Sequence, residues 1–452
     1  MEKDAVTQLI DFASDTKFID IPDEAVDFAK CLILKTIAGT LAGTTKPSGR
    51  KMASLIRDRR LPEEVGVMGC GFKTSVWEAT FLHAFFAHAS ELEDDRVIDG
   101  SSWDITVLPL LFSLCEKLRL SGKSLLESII LGLEVHCRTS IFPADHLGLL
   151  MVPPSVGPAI GACRAMGLTK DAMASAVGLS MSGAPLSFVN FGTDAHYLES
   201  TIQCFHGLVA AEMAKEGLYG NPDLLAYLTH MLGKEHVKPE KMVDGLGKRW
   251  LFCDIWIKKY PLCLMQHRYV DTLLEMRKEY NLKNEDVELI EAHINPGGEL
   301  CNRPEPKNER DLRFSYQHCL SVALVDGEVT LDHLDMDMVN DPILKEARAK
   351  VKLVKHDDWP QGVDGPSMTA VPARIDVTLK NGEKLTKERK YLIGSPEEPL
   401  TIDQFKDLYQ KYTRGILSDD LIVKTRDAIM NLEKLSNTDE LMDTLVFRHL
   451  TV

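Results

Sequence analysis

Up to about residue 260 the apolar positions recur at helical spacing, segment after segment. Pro22 and Asp23 open a helix in which Val26, Ala29, Ile33, Ile37 and Leu41 keep the helical period, while Ala38, Gly39, Ala42 and Gly43 leave room for a close neighbour. The same spacing predicts helices over 76–92, 105–118, 124–142, 159–166, 170–181 and 201–218. Segments 129–135 and 174–181 are apolar almost all round, which places them at the centre of a thick bundle.

The pattern changes at 255–266, where Pro261 interrupts an apolar run. Beyond it, 287–294 and 375–379 read as strands. The second runs through Asn381-Gly382 into 383–385, and Asn-Gly between alternating segments is the strongest short hairpin signal. A helix is expected over 315–325, and from Asp403 onward the pattern is helical again. The fold class expected is mainly α with a smaller α+β domain: an all-helical domain over 1–262 with 402–452, and an α+β domain over 263–401.

One stretch breaks the apolar rhythm. Residues 87–109 continue a helix through Ala87 and His88, then deliver Glu91, Glu93, Asp94 and Asp95 at its C-terminal end before the apolar run resumes at Ile105. Carboxylates there oppose the helix dipole, at about 0.3–1 kcal/mol each, so they call for solvation or a positive partner. A solvated acidic loop is the plainer expectation for such a run. The other is an elbow that walls a polar pocket.

Composition narrows the class. Of 452 residues 44% are hydrophobic and 26% charged, ordinary globular usage, and the length predicts two or three domains. A net charge of -15 argues against nucleic acid and anionic membranes as partners. The chain has no apolar run of about 18–20 residues and no basic-then-apolar start, so it reads as soluble and cytoplasmic. Ten cysteines without CxxC pairing read as reduced core thiols.

Phosphate-cradling GxGxxG and Walker loops, HExxH and GxSxG are absent from the sequence. What remains is a set of isolated imidazole and basic groups, suited to proton transfer on an anionic substrate. Lys258 stands beside apolar Trp256 and Ile257, where desolvation would lower its pKa towards that of a base, although a lysine can equally reach solvent. His196 falls in a loop or helix start between two apolar helices. His318 sits on an amphipathic helix and fits core and catalytic roles equally, whereas His206 reads as a satisfied helix histidine. Arg303 and Arg313 are guanidinium clamps for a carboxylate, or partners of Glu305 and Glu309. Glu91, Asp94 and Asp95 with His88 also form a weak oxygen-rich metal pattern, and no metal is assigned.

Together these segments resemble the MmgE/PrpD family, which includes 2-methylcitrate dehydratase, cis-aconitate decarboxylase and iminodisuccinate epimerase. The family's His-x-x-Asp-x-Asp-Asp run before Val-Leu-Pro is matched by His88, Glu91, Glu93, Asp94 and Val107-Leu108-Pro109. Its Lys-x-Tyr/Phe-Pro segment is matched by Lys258, Tyr260 and Pro261, and its Phe-Ser helix by Phe314, Ser315, Ala323, Asp326 and Gly327. The resemblance spans nearly the whole chain. It implies a homodimer with a helical domain and a smaller lid, an active site between them, and neither organic cofactor nor required metal.

The departures bear on function. A family histidine in a His-Pro-Ser-Gly-like run falls in Ser102-Trp103-Asp104-Ile105, and another falls at Val152-Pro153. The lysine and histidine of a Lys-x-Leu-His-x-Gly run fall on His196 and Glu199, and a tyrosine falls on His318. Lys258 keeps its identity. The expected function is a lyase of dehydratase or decarboxylase type working by acid/base catalysis on a small carboxylic acid other than cis-aconitate or 2-methylcitrate. An epimerase or double-bond isomerase and an inactive scaffold are the alternatives. Lys258, His196, His318, Glu91 and Asp95 are the expected catalytic groups, and Lys259, Arg303, Ser102, Trp103 and Tyr260 the expected substrate contacts.

Overall fold

The computed structural model describes residues 3–96, 102–362 and 365–447. Contacts divide the chain into a larger unit, Met1–Phe188 with Asp194–Ile255 and Thr401–Val452, and a smaller one, Val189–Thr193 with Trp256–Leu400. The fold is mainly α, with the principal sheet in the smaller unit. Among the described residues no helix is long and apolar enough to cross a membrane.

The larger unit is built around α1 (Asp23–Thr44), whose first turn carries Asp23 and Glu24 where the helix dipole favours acids. From Ala29 to Thr44 every residue is buried, Lys30 and Lys35 included. Its small residues permit a close crossing with α2 (Val76–Ala89): a Cβ on Gly43 would stand 1.9 Å from the Phe86 carbonyl oxygen. α3 (Asp104–Leu118) and α4 (Gly122–Thr139) follow, the latter capped by Ser121 Oγ, which accepts the Ser124 N–H. α5 (Val156–Met166) packs on α4 and on α6 (Asp194–Lys215), and α2 packs against α1, α3 and α6.

In the smaller unit β1 (Val287–Ile294), β2 (Val351–Lys355), β3 (Ala373–Leu379) and β4 (Lys384–Arg389) form one sheet in the order β2-β1-β3-β4. β2 runs parallel to β1, with Ile290 opposite Val351, and the other pairs are antiparallel. Alternate residues of β3, Ala373, Ile375 and Val377, are buried, as a one-sided sheet requires. The β3–β4 turn is the expected Asn381-Gly382 hairpin, with Gly382 at a φ of 89° that favours glycine. α7 (His267–Glu279) lies on β3 and β4, and α8 (Tyr316–Val325) on β2 and on α9 (Pro342–Ala349). Ser315 caps α8 by accepting the His318 N–H. The chain then returns to the larger unit as α10 (Ile402–Thr413) and α11 (Asp419–Met430), which pack on α1.

Two local differences from the sequence pattern stand out. α6 begins at Asp194 instead of near 201, and His196 lies on its first turn, the helix start that was one of the two expectations for it. β2 is a strand that Val-Lys-Leu-Val-Lys, which does not alternate, did not announce.

Candidate active site

α2 ends at Ala89 with Ser90 as its C-cap, and the acids follow outside the helix. They are not solvated: Glu91, Glu93, Asp94 and Asp95 are 1%, 3%, 0% and 8% exposed, which overturns the plainer reading of the run. Burying carboxylates is costly unless they gain partners. Lys35, delivered by the buried α1, places Nζ 3.7 Å from Asp94 Oδ1 and donates to the Leu92 carbonyl at 3.1 Å. Asp104, at the start of α3, accepts the Asp94 N–H at 3.1 Å and the Thr36 hydroxyl at 3.2 Å. Burial, reinforced by the charges of Asp94 and Glu93, holds the Asp104 carboxyl well above the usual range.

The same elbow meets the start of α6 and makes a histidine pair. The rings of His88, on the last turn of α2, and His196 lie 4.3 Å apart between centroids, tilted by 60°. His88 Nδ1 is 2.6 Å from Ser200 Oγ, and Ser200 in turn donates to the Tyr197 carbonyl at 3.2 Å. The hydroxyl has one proton for these two contacts, and the direction of the shorter one follows the His88 tautomer. His88 Nε2 is 4.0 Å from Glu93 Oε1, and His196 Nδ1 is 4.0 Å from Glu199 Oε2. Ring nitrogens of both histidines and a carboxylate oxygen of Glu91 lie within 4.8 Å of one another, so among the described residues these three form a group that could hold a metal ion. Tyr197 and Phe85 wall the pair on the apolar side.

Glu91 reaches the pair by way of its backbone. Its φ is 55°, in the left-handed region that residues with a Cβ seldom occupy, just past a helix end where glycine is usual.

Of the other expected residues, Asp95 accepts a hydrogen bond from the Ser102 hydroxyl. Trp103 is fully buried at the N-cap of α3, its ring edge-on to His136 with centroids 3.6 Å apart. His136 accepts the Gly157 N–H at Nδ1 over 2.6 Å, and burial holds its pKa well below the usual value. In the smaller unit Lys258 is buried. Lys259 Nζ and the Tyr260 hydroxyl both donate to Asp271 Oδ1, at 2.7 and 2.8 Å. Arg303 holds Asp311 at 2.9 Å and the Phe191 carbonyl at 3.0 Å. His318 is buried, with Nε2 donating to the His333 carbonyl at 2.8 Å and Nδ1 accepting from Arg348 at 3.2 Å, and burial pulls its pKa down to about 4.

The geometry thus joins His196 and Glu91 to His88, Glu93, Glu199 and Ser200. His196 and Glu199, three residues apart, share one face of α6. Ser200, Lys35 and Asp104 were not singled out, because nothing local marks a serine or lysine inside an apolar helix as a partner of a distant histidine or acid.

The MmgE/PrpD N-terminal domain is matched over residues 7–234 and the MmgE/PrpD C-terminal domain over 260–434, and the chain belongs to the MmgE/PrpD family. Its curated relatives include cis-aconitate decarboxylase of Homo sapiens, 26% identical over 456 residues covering 94% of this chain and 91% of the relative. The Mus musculus enzyme of the same name is 28% identical over 381 residues, covering 79% and 76%. That of Aspergillus terreus is 24% identical over 483 residues, covering 98% and 96%.

Proposed function

We propose that this protein is a lyase of decarboxylase or dehydratase type, acting by proton transfer on a small carboxylic acid that is neither cis-aconitate nor 2-methylcitrate. The observation that carries the reading is the buried, fixed pairing of His88 with His196. His88 takes up or passes a proton through its ring, and His196 exchanges a proton with the reacting carbon or leaving group. Loss of carbon dioxide, or of a proton next to a carboxyl group, leaves an electron pair on carbon, and this must be reprotonated or must expel hydroxide. His318 is left out, since both its ring nitrogens are taken.

Two features support a different substrate from that named for the relatives. The segment holding the lost family histidine is occupied by Ser102 and a buried Trp103, and a lysine and a histidine are replaced by His196 and Glu199. A site that has exchanged cations for imidazole and carboxylate suits an acid with fewer negative charges, because each lost charged contact forfeits about 1.5–3 kcal/mol. The lyase is favoured over a two-base epimerase by the 4.3 Å ring separation, which leaves no room for a carbon between the imidazoles. A homodimeric state is part of the proposal.

The test is turnover, followed by proton NMR over a panel of di- and tricarboxylates and alkyl-substituted citrates. One acid other than cis-aconitate is expected to give an elimination or decarboxylation product. Ordinary turnover of cis-aconitate, or silence throughout, counts against the reading.

A further inference from the structure

We infer that His88, Glu91 and His196 bind one divalent cation of the Zn2+ type, and that the bound ion silences the proton transfer proposed for the same imidazoles. The silencing rests on the lyase reading; the binding stands on geometry alone. The three donors lie within 4.8 Å of one another and all are buried. Zn2+ holds imidazole and carboxylate donors at about 2.0–2.2 Å, so tetrahedral ligands stand roughly 3.4 Å apart and a modest side-chain adjustment closes the present spacing. Two imidazoles and a carboxylate also leave a coordination position open, as in catalytic zinc sites.

A second observation is independent of that spacing. A histidine ligand offers one lone pair to the metal and donates its other N–H to a fixed partner, which sets the tautomer. His88 has such a fixed partner, with Nδ1 2.6 Å from Ser200 Oγ. Glu93 and Glu199, each 4.0 Å from a ring nitrogen of the pair, surround the donors with negative charge that favours a cation. The left-handed backbone of Glu91 brings the third donor to the rings. An ion seated there occupies the lone pairs on which proton transfer depends.

Chelator-stripped protein titrated with ZnCl2 by isothermal calorimetry is expected to take up one tight equivalent, and Co2+ in its place to give the visible absorption of a four- or five-coordinate ion. His88→Ala and His196→Gln should abolish that equivalent, Glu91→Gln should weaken it, and Ser200→Ala should weaken it about tenfold or more. If His88→Ala fails to fold by circular dichroism, His196→Gln and Glu91→Gln decide the matter. Absence of stoichiometric binding to wild type, or an unchanged equivalent in both of those variants, overturns the site. Turnover separates the two readings. A protein that binds Zn2+ through these residues but converts no carboxylate keeps the site and removes the lyase. An active enzyme indifferent to one bound equivalent overturns the silencing.

Discussion

His88 Nδ1 stands 2.6 Å from Ser200 Oγ, across 112 residues of sequence, and that single contact holds the imidazole in place. Ser200 Oγ also lies 3.2 Å from the Tyr197 carbonyl. The elbow after α2 and the first turns of α6 therefore meet at a buried imidazole–hydroxyl contact.

Ser200→Ala should loosen this imidazole. We expect turnover to fall about tenfold and the unfolding free energy by about 1–2 kcal/mol, since a buried polar group loses its partner. Steady-state kinetics and urea denaturation measure the two; unaltered turnover would argue that Ser200 only fills space.

His196→Ala removes the partner imidazole. Turnover should drop by about 100-fold or more, the usual contribution of a positioned acid or base, with an unchanged far-ultraviolet circular dichroism spectrum. A variant that keeps its rate would remove His196 from the mechanism.

Gly43→Ala tests the crossing that carries α2, and with it His88, against α1. The new Cβ would meet the Phe86 carbonyl oxygen at 1.9 Å, and backbone there cannot yield cheaply. Stability should fall by about 1–3 kcal/mol, measured by chemical denaturation, and neutral behaviour would mean that the helices separate freely.

Glu116, buried on α3, accepts the Gly66 N–H at 2.9 Å with Lys73 Nζ 3.8 Å away. Burial raises its pKa from 4.5 to about 7. A raised folded pKa contributes stability that is fully present below the unfolded value and is lost as pH rises through the folded one. Wild type should therefore lose about 1–2 kcal/mol between about pH 5 and pH 8 that Glu116→Gln does not lose. Thermal melts of the two proteins across that window check it; parallel pH profiles would contradict it.

Local chemistry made much of the fold legible. The alternation of 287–294, the Asn381-Gly382 turn and the helix behind Ser315 are set by neighbours in sequence, and the structure keeps all three. The small residues of α1 announced a close crossing, and Gly43 meets Phe86 there. The site was legible only in part. His196 and Glu91 were marked by their residue types, but the burial of the acidic run depends on Lys35, delivered from 57 residues away, and the placement of His88 depends on Ser200. Such partners are brought together by packing, and no spacing rule connects them. β2 escaped notice because Val-Lys-Leu-Val-Lys, with its two lysines three residues apart, does not keep the period of two that marks a strand.

The central claim is that the His88–His196 pair moves the proton, and deuterium incorporation tests it most directly. Product formed in D2O by wild type and by His196→Ala, with whichever carboxylate the wild type converts, would be examined by proton NMR. The account predicts solvent deuterium at the reacting carbon with wild type and neither product nor exchange with the variant at comparable protein concentration. Equal conversion and equal labelling by the two proteins would contradict it.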